Sequence, residues 1–246
     1  MILAHATWPD IDGLDRDLPV VIPTGSVEQH GRHLPLITDS LIVTAIAEGA
    51  EALCSSECLL TPTIWLGASG HHLAFPGSLS NSFDGYEDSL RSIIESLERH
   101  GFHKFLVLNG HGGNTEPNGV ALRKIKLRNP QLTVVRIGYY DLIVDKVRES
   151  MRGSKKELAH ACEAETSMVM YLRPELVREG LVRDDGLQPC PPVPGLVAHF
   201  DEMTEEGSIG LATLASAATG EALIQEAITQ TVRLIRTLRE GFVFLG

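Results

Sequence analysis

Short apolar runs alternate with amphipathic stretches along this 246-residue chain. That alternation calls for an α/β fold, a mostly parallel sheet flanked by helices. Leu18 to Pro23 reads as a first buried strand, stopped by a turn at Gly25. Asp39 to Leu53 reads as a helix, with Leu41, Ile42, Ala45, Ile46 and Ala50 at helical spacing. Leu59 to Leu66 is the second strand candidate. From Asp84 to His100 the apolar residues Tyr86, Leu90, Ile93, Ile94 and Leu97 share one helical face, and Gly101 suits the stop. Lys104 to Leu108 is a third strand, and the helix after it is expected to begin near Glu116 and Pro117. Thr133 to Tyr140 reads as a strand, Leu158 to Leu172 as a helix, and Glu221 to Glu240 as the last helix. Residues 186–210 hold several prolines and glycines and read as a long ordered loop. No repeat or linker divides the chain, so one domain over residues 1–246 is expected.

A net charge of −11 with no Lys/Arg block argues against a nucleic-acid surface. The four cysteines, Cys54, Cys58, Cys162 and Cys190, form no CxxC pair, which argues against a disulfide framework. No signal-peptide pattern opens the chain. No apolar stretch approaches the ~20 residues that a membrane span needs. A soluble cytoplasmic protein with no membrane partner is expected.

The chemistry concentrates in loops that follow strands. Between Thr24 and Asp39 the chain holds Glu28, His30, His33 and Asp39 in a run too rich in Gly and Pro for a helix. Imidazole and carboxylate together suit zinc, manganese or iron. Glu28 and His30 are two apart, so in extended backbone they point the same way. Asp39 opens an apolar helical run, where a short carboxylate can both cap the helix and reach a metal. The loop Asn109 to Asn114 sets His111 among glycines; without the spacing and the Lys-Ser/Thr of a P-loop, it reads better as a ligand turn. In open parallel sheets ligands bind at the carboxyl ends of the strands, which brings both loops to one edge. His160 and Glu165 lie five apart, which does not place them on one tight face of a helix, and Glu163 reads as solvated. Ser26 lacks the Gly-x-Ser-x-Gly setting of a serine nucleophile.

Together the stretches Thr7–Ile11, Gly25–Gly31, His33–Leu36 with Asp39, Phe75–Leu79, Asn109–Asn114 and His160–Ser167 resemble the creatininase, or creatinine amidohydrolase, family. They span most of the chain in the family's order. The resemblance implies a three-layer α/β/α fold, two divalent metal ions (Zn, Mn or Fe) per chain, and assembly as a homohexamer. Carried over by position, Glu28 and His111 would bind one metal, His30 and Glu165 the other, and Asp39 would bridge them. His160 would shuttle a proton to the leaving nitrogen, with Glu165 also in the catalytic set. His71, Ser78 and Tyr140 are candidate substrate contacts. Three departures bear on the substrate. Creatininases acting on creatinine carry a glutamate ligand where this chain has Gly113, and a Trp where it has Tyr140. Gly210, Leu211 and Ala212 stand in place of a frequent Gly-Asp-Pro.

The implied activity is hydrolysis of a C–N amide bond in a small cyclic amide, formamide or short peptide. The alternatives are a peptidase or deformylase in cofactor maturation, and non-hydrolytic ring opening of a sugar-like keto compound. A binding module on a borrowed fold is disfavoured by the intact ligand set.

Overall fold

Val20–Thr24 (β1), Leu59–Leu60 (β2), Lys104–Asn109 (β3) and Thr133–Gly138 (β4) pair in parallel as one sheet, in the order β2-β1-β3-β4. This computed structural model describes residues 1–187, 193 and 195–242, so Cys190 lies outside the described residues. β1 is buried along its whole length and β3 along nearly all of it, which is why both read as unbroken apolar runs.

The chain adds helices in the order Trp8–Asp12 (α1), Thr38–Leu53 (α2), Phe83–Arg99 (α3), Thr115–Arg128 (α4), Tyr139–Leu142 (α5), Val144–Ser150 (α6), Glu163–Leu172 (α7), Phe200–Met203 (α8) and Ala217–Glu240 (α9). Alternate strand residues face opposite layers. Val20, Ile22, Phe105 and Val107 pack with Leu90 and Ile94 of α3 and Leu122 and Ile125 of α4. Val21, Leu106 and Leu108 pack with Ile42 and Ile46 of α2, Met168 of α7 and Leu223 of α9. The result is three layers, α/β/α. No helix among the described residues is long and apolar enough to cross a membrane.

Several boundaries differ from the sequence expectations, four of them for an identifiable reason. The second strand stops at Leu60 rather than Leu66: Pro62 has no N–H for the ladder, and only an isolated bridge between Thr24 and Ile64 resumes it. β4 ends at Gly138, where the Asp141 carboxylate accepts the Gly138 N–H at 3.2 Å and the chain turns into α5. The helix expected from Leu158 begins at Glu163, because Ala161 adopts φ 49°, outside the right-handed helical region. α9 begins four residues before Glu221, at Ala217, where the Ser216 hydroxyl caps it by accepting the Thr219 N–H.

The connection from β1 leads out to β2 on one side, while β3 lies on the other. This is a topological switch point, and it opens a crevice outside the carboxyl ends of β1 and β3. Thr24 and Asn109 end those strands as register partners, and the Thr24 hydroxyl donates to Asn109 Oδ1 at 3.0 Å.

Candidate metal centre

Both ligand-rich loops leave the sheet at this crevice. Asn114 ties them to a third: its Nδ2 donates to the Gly25 carbonyl at 3.0 Å and its Oδ1 accepts the Ala68 N–H at 2.9 Å. Asp39 arrives on the first turn of α2. It does not cap that helix as the sequence suggested; Ile37 holds the cap position, and the carboxylate turns into the crevice. Glu28, His30, Asp39, His111 and Glu165 are all buried there.

Asp39 lies between two imidazoles, with Oδ1 2.9 Å from His30 Nε2 and Oδ2 2.9 Å from His111 Nδ1. Each ring is oriented from behind. His30 Nδ1 lies 3.2 Å from the Glu28 carbonyl oxygen, and His111 Nε2 lies 3.3 Å from that of Ala68. A ring whose outer N–H meets a backbone carbonyl presents its inner nitrogen as a lone pair, the usual support of a metal-binding histidine. The inner nitrogens each meet a second carboxylate: His30 Nε2 lies 3.8 Å from Glu165 Oε2, and His111 Nδ1 3.3 Å from Glu28 Oε1. Both carboxylate oxygens of Glu28 are buried without a hydrogen-bond partner. A buried carboxylate with imidazoles beside it but no aligned hydrogen bond costs several kcal/mol, roughly, unless a cation completes it.

The electrostatics agree. Burial opposes the charge on His30, yet the carboxylates of Asp39, Glu165 and Glu28 outweigh it and push the imidazole up to about 9. Burial lifts the Glu165 carboxyl to about 7, against the pull of His30. Three overlapping sets of ligand atoms lie close enough to share an ion, Glu28–Asp39–His111, His30–His160–Glu165 and Glu28–His72–His160. These side chains, a mixed set of imidazoles and carboxylates, fit divalent cations.

Glu163 and Glu165 show why the helix starts late. Glu165 Oε2 accepts the Ala161 N–H at 2.6 Å, and the two oxygens of Glu163 accept the N–H groups of Arg152 and Gly153 at 2.6 and 2.9 Å. Glu163 is fully buried, correcting its reading as solvated. His160 precedes the helix, so the five-residue spacing never applied to it. Its Nδ1 lies 3.7 Å from Glu28 Oε1 and its Nε2 2.7 Å from the Gln29 carbonyl oxygen.

A cavity of about 360 Å³ opens over these groups, lined among others by His71, His72, Tyr140, Leu158, His160 and Phe200. That suits a small molecule or the end of a chain. His71 and Tyr140 of the three substrate candidates line it. Ser78 does not; its hydroxyl accepts the Gln29 N–H at 3.0 Å, beneath the wall. Neither Trp8 nor Trp65 lines it. Two residues were missed as site residues in the sequence. His72 is buried with Nε2 3.1 Å from Glu28 Oε1, and Phe200 stacks on it at 4.0 Å between ring centroids. Adjacency of His71 and His72 gave no means to choose between them, and Phe200 carries no sequence signal.

A model of the creatininase family, described as creatinine amidohydrolase, matches residues 4–235. The chain is 28% identical over 250 residues to a 3-dehydro-scyllo-inosose hydrolase of Thermotoga maritima, covering 91% of this chain and 78% of that one. It is 30% identical over 218 residues to a mycofactocin precursor peptide peptidase of Mycolicibacterium smegmatis, covering 85% and 81%. A solved structure of creatininase Mn superposes with a TM-score of 0.82 at 25% identity, covering 96% of this chain and 97% of that one.

Proposed function

Since this chain belongs to the creatininase family and so to the hydrolases of C–N bonds, we propose that it is a two-metal amidohydrolase acting on a small cyclic amide, formamide or short peptide. The observation that carries this reading is the Glu28 carboxylate, buried with neither oxygen hydrogen-bonded beside two backbone-oriented imidazoles. Glu28 and His111 would hold one ion, His30 and Glu165 the other, with Asp39 between them. Divalent ions bound there would supply an acidified water and polarise the carbonyl under attack.

The remaining steps belong to the chain. His160 Nε2–H is tied to the Gln29 carbonyl, so Nδ1 faces the cavity as an acceptor. It can take the proton that an attacking water releases and deliver it to the leaving nitrogen. Ser26 donates to Asp39 Oδ2 at 2.7 Å and keeps that carboxylate turned into the crevice. Phe200, Leu158 and the body of Tyr140 shield the reacting atoms from bulk water.

The named relatives act on different molecules: the precursor peptide falls within the reading, whereas the inosose, which has no C–N bond, belongs with the ring-opening alternative. The test is a panel assay on metal-loaded protein with creatinine, an N-formylated aminopyrimidine, a short peptide and an inosose. Release of a carboxylate product, abolished by a chelator and restored by zinc or manganese, supports the reading. A protein that holds two metals yet turns over none of the three amide classes, or only the inosose, contradicts it.

A further inference from the structure

Gln29 sits between two imidazoles of the cavity, within hydrogen-bond distance of both. Its Oε1 accepts the Gly31 N–H at 2.9 Å, which fixes the amide orientation. The amide nitrogen then lies 3.0 Å from His72 Nδ1 and 3.0 Å from His160 Nε2. His160 Nε2 also lies 2.7 Å from the Gln29 carbonyl oxygen, a contact that requires a proton on the nitrogen. That nitrogen is therefore a donor and cannot accept from the amide. The amide proton goes to His72 Nδ1 instead, and a neutral ring that accepts at Nδ1 carries its own proton on Nε2.

His72 Nε2–H reaches the cavity beside Glu28. It lies 3.1 Å from Glu28 Oε1 without an aligned hydrogen bond to that oxygen, and the ring lines the cavity. Phe200 stacks on the His72 ring at 25° and holds its plane. Ser78 anchors the Gln29 backbone from below. A protonated nitrogen cannot bind a metal through that atom, even though His72, Glu28 and His160 cluster closely enough to suggest a third ligand set. The two rings thus show opposite faces to the cavity, an acceptor on His160 and a donor on His72.

We propose that His72 is a catalytic hydrogen-bond donor, set in that tautomer by Gln29, whose Nε2–H holds the substrate oxygen on which negative charge develops. The inference rests on the amidohydrolase reading. Such a donor acts by being in place before the charge forms.

The test combines ¹⁵N NMR of histidine-labelled, metal-loaded protein with binding of acetohydroxamate, a small probe that carries a carbonyl and an oxyanion. The His72 resonances are identified by their loss in His72→Gln. They are expected to show a protonated Nε2 and a bare Nδ1, with the pattern reversed in Gln29→Glu, whose carboxylate would draw the proton to Nδ1. His72→Leu is expected to weaken acetohydroxamate by roughly tenfold, the worth of one hydrogen bond to a charged group. His72→Gln, which returns an N–H near the same place, should recover most of it. Metal content should stay unchanged in both. A proton on Nδ1 in the wild-type chain overturns the proposal, as does loss of metal in His72→Leu, which would make His72 a ligand. A wild-type protein that holds two metals but binds no acetohydroxamate contradicts the hydrolase reading and removes the substrate role of His72 with it; the tautomer is still decided by the resonances.

Discussion

Gly113 lies so close to His111 that a Cβ at position 113 would stand 2.5 Å from the imidazole Nε2, and 2.5 Å from the Ala68 carbonyl oxygen as well. The loop has closed over the place where a side chain would emerge. Glu165, entering from α7 instead, brings a carboxylate to His30. Gly113→Ala should therefore displace His111 or the Ala68 carbonyl, costing about 1–3 kcal/mol as overpacking does. Thermal unfolding and metal content read the two consequences. A variant with unchanged Tm and full metal would show that the loop yields freely.

Removing the His160 side chain should separate turnover from metal binding. Its loss should cost roughly 10²–10⁴ in kcat, the usual worth of a positioned acid–base group. The five ligands, Glu28, His30, Asp39, His111 and Glu165, should keep the ions. Steady-state kinetics on the substrate found by the panel, run beside elemental analysis of His160→Ala, makes the distinction. An unchanged kcat would remove His160 from proton transfer.

Thiol reactivity should depend on folding. Burial, with the neighbouring Cys54, pushes the Cys58 thiol up to about 12. An unfolded cysteine titrates near ~8.5, so at mildly alkaline pH the folded thiolate is rarer by roughly three orders of magnitude. Iodoacetamide should spare Cys54, Cys58 and Cys162 in the native protein and label all three in urea, as peptide mass spectrometry would record. Rapid native labelling of Cys58 would contradict its burial.

The packing of α7 on α9 depends on Gly220, where a Cβ would fall on the Ser167 carbonyl. Gly220→Ala should cost about 1–3 kcal/mol even though alanine is the better helix former. Urea denaturation measures it. A stabilised variant would mean that the two helices can part without loss.

Much of this was legible in the chain because parallel strands buried on both faces announce themselves as apolar runs, and because ligands follow strand ends. Glu28, His30 and His111 could be brought to one edge by that rule alone. The sequence pattern ran one helix through His160, since nothing in Leu158 to Cys162 forbids it. The break comes from carboxylates binding backbone N–H groups at Ala161, Arg152 and Gly153, contacts that only the tertiary fold creates. Glu163 was misread for the same reason: its partners are backbone groups ten and eleven residues away. His72 became distinguishable from His71 only once Gln29 and Glu28 were seen on either side of its ring.

The most direct test of the account is metal content per chain, by elemental mass spectrometry on protein purified without chelator, for wild type and for Asp39→Ala with its fold checked by circular dichroism. Because Asp39 offers one oxygen to each half of the site, the account predicts about two divalent ions per wild-type chain and loss of both in the variant. A wild-type chain that takes up no zinc, manganese or iron, or an Asp39→Ala chain that keeps two ions, would contradict it.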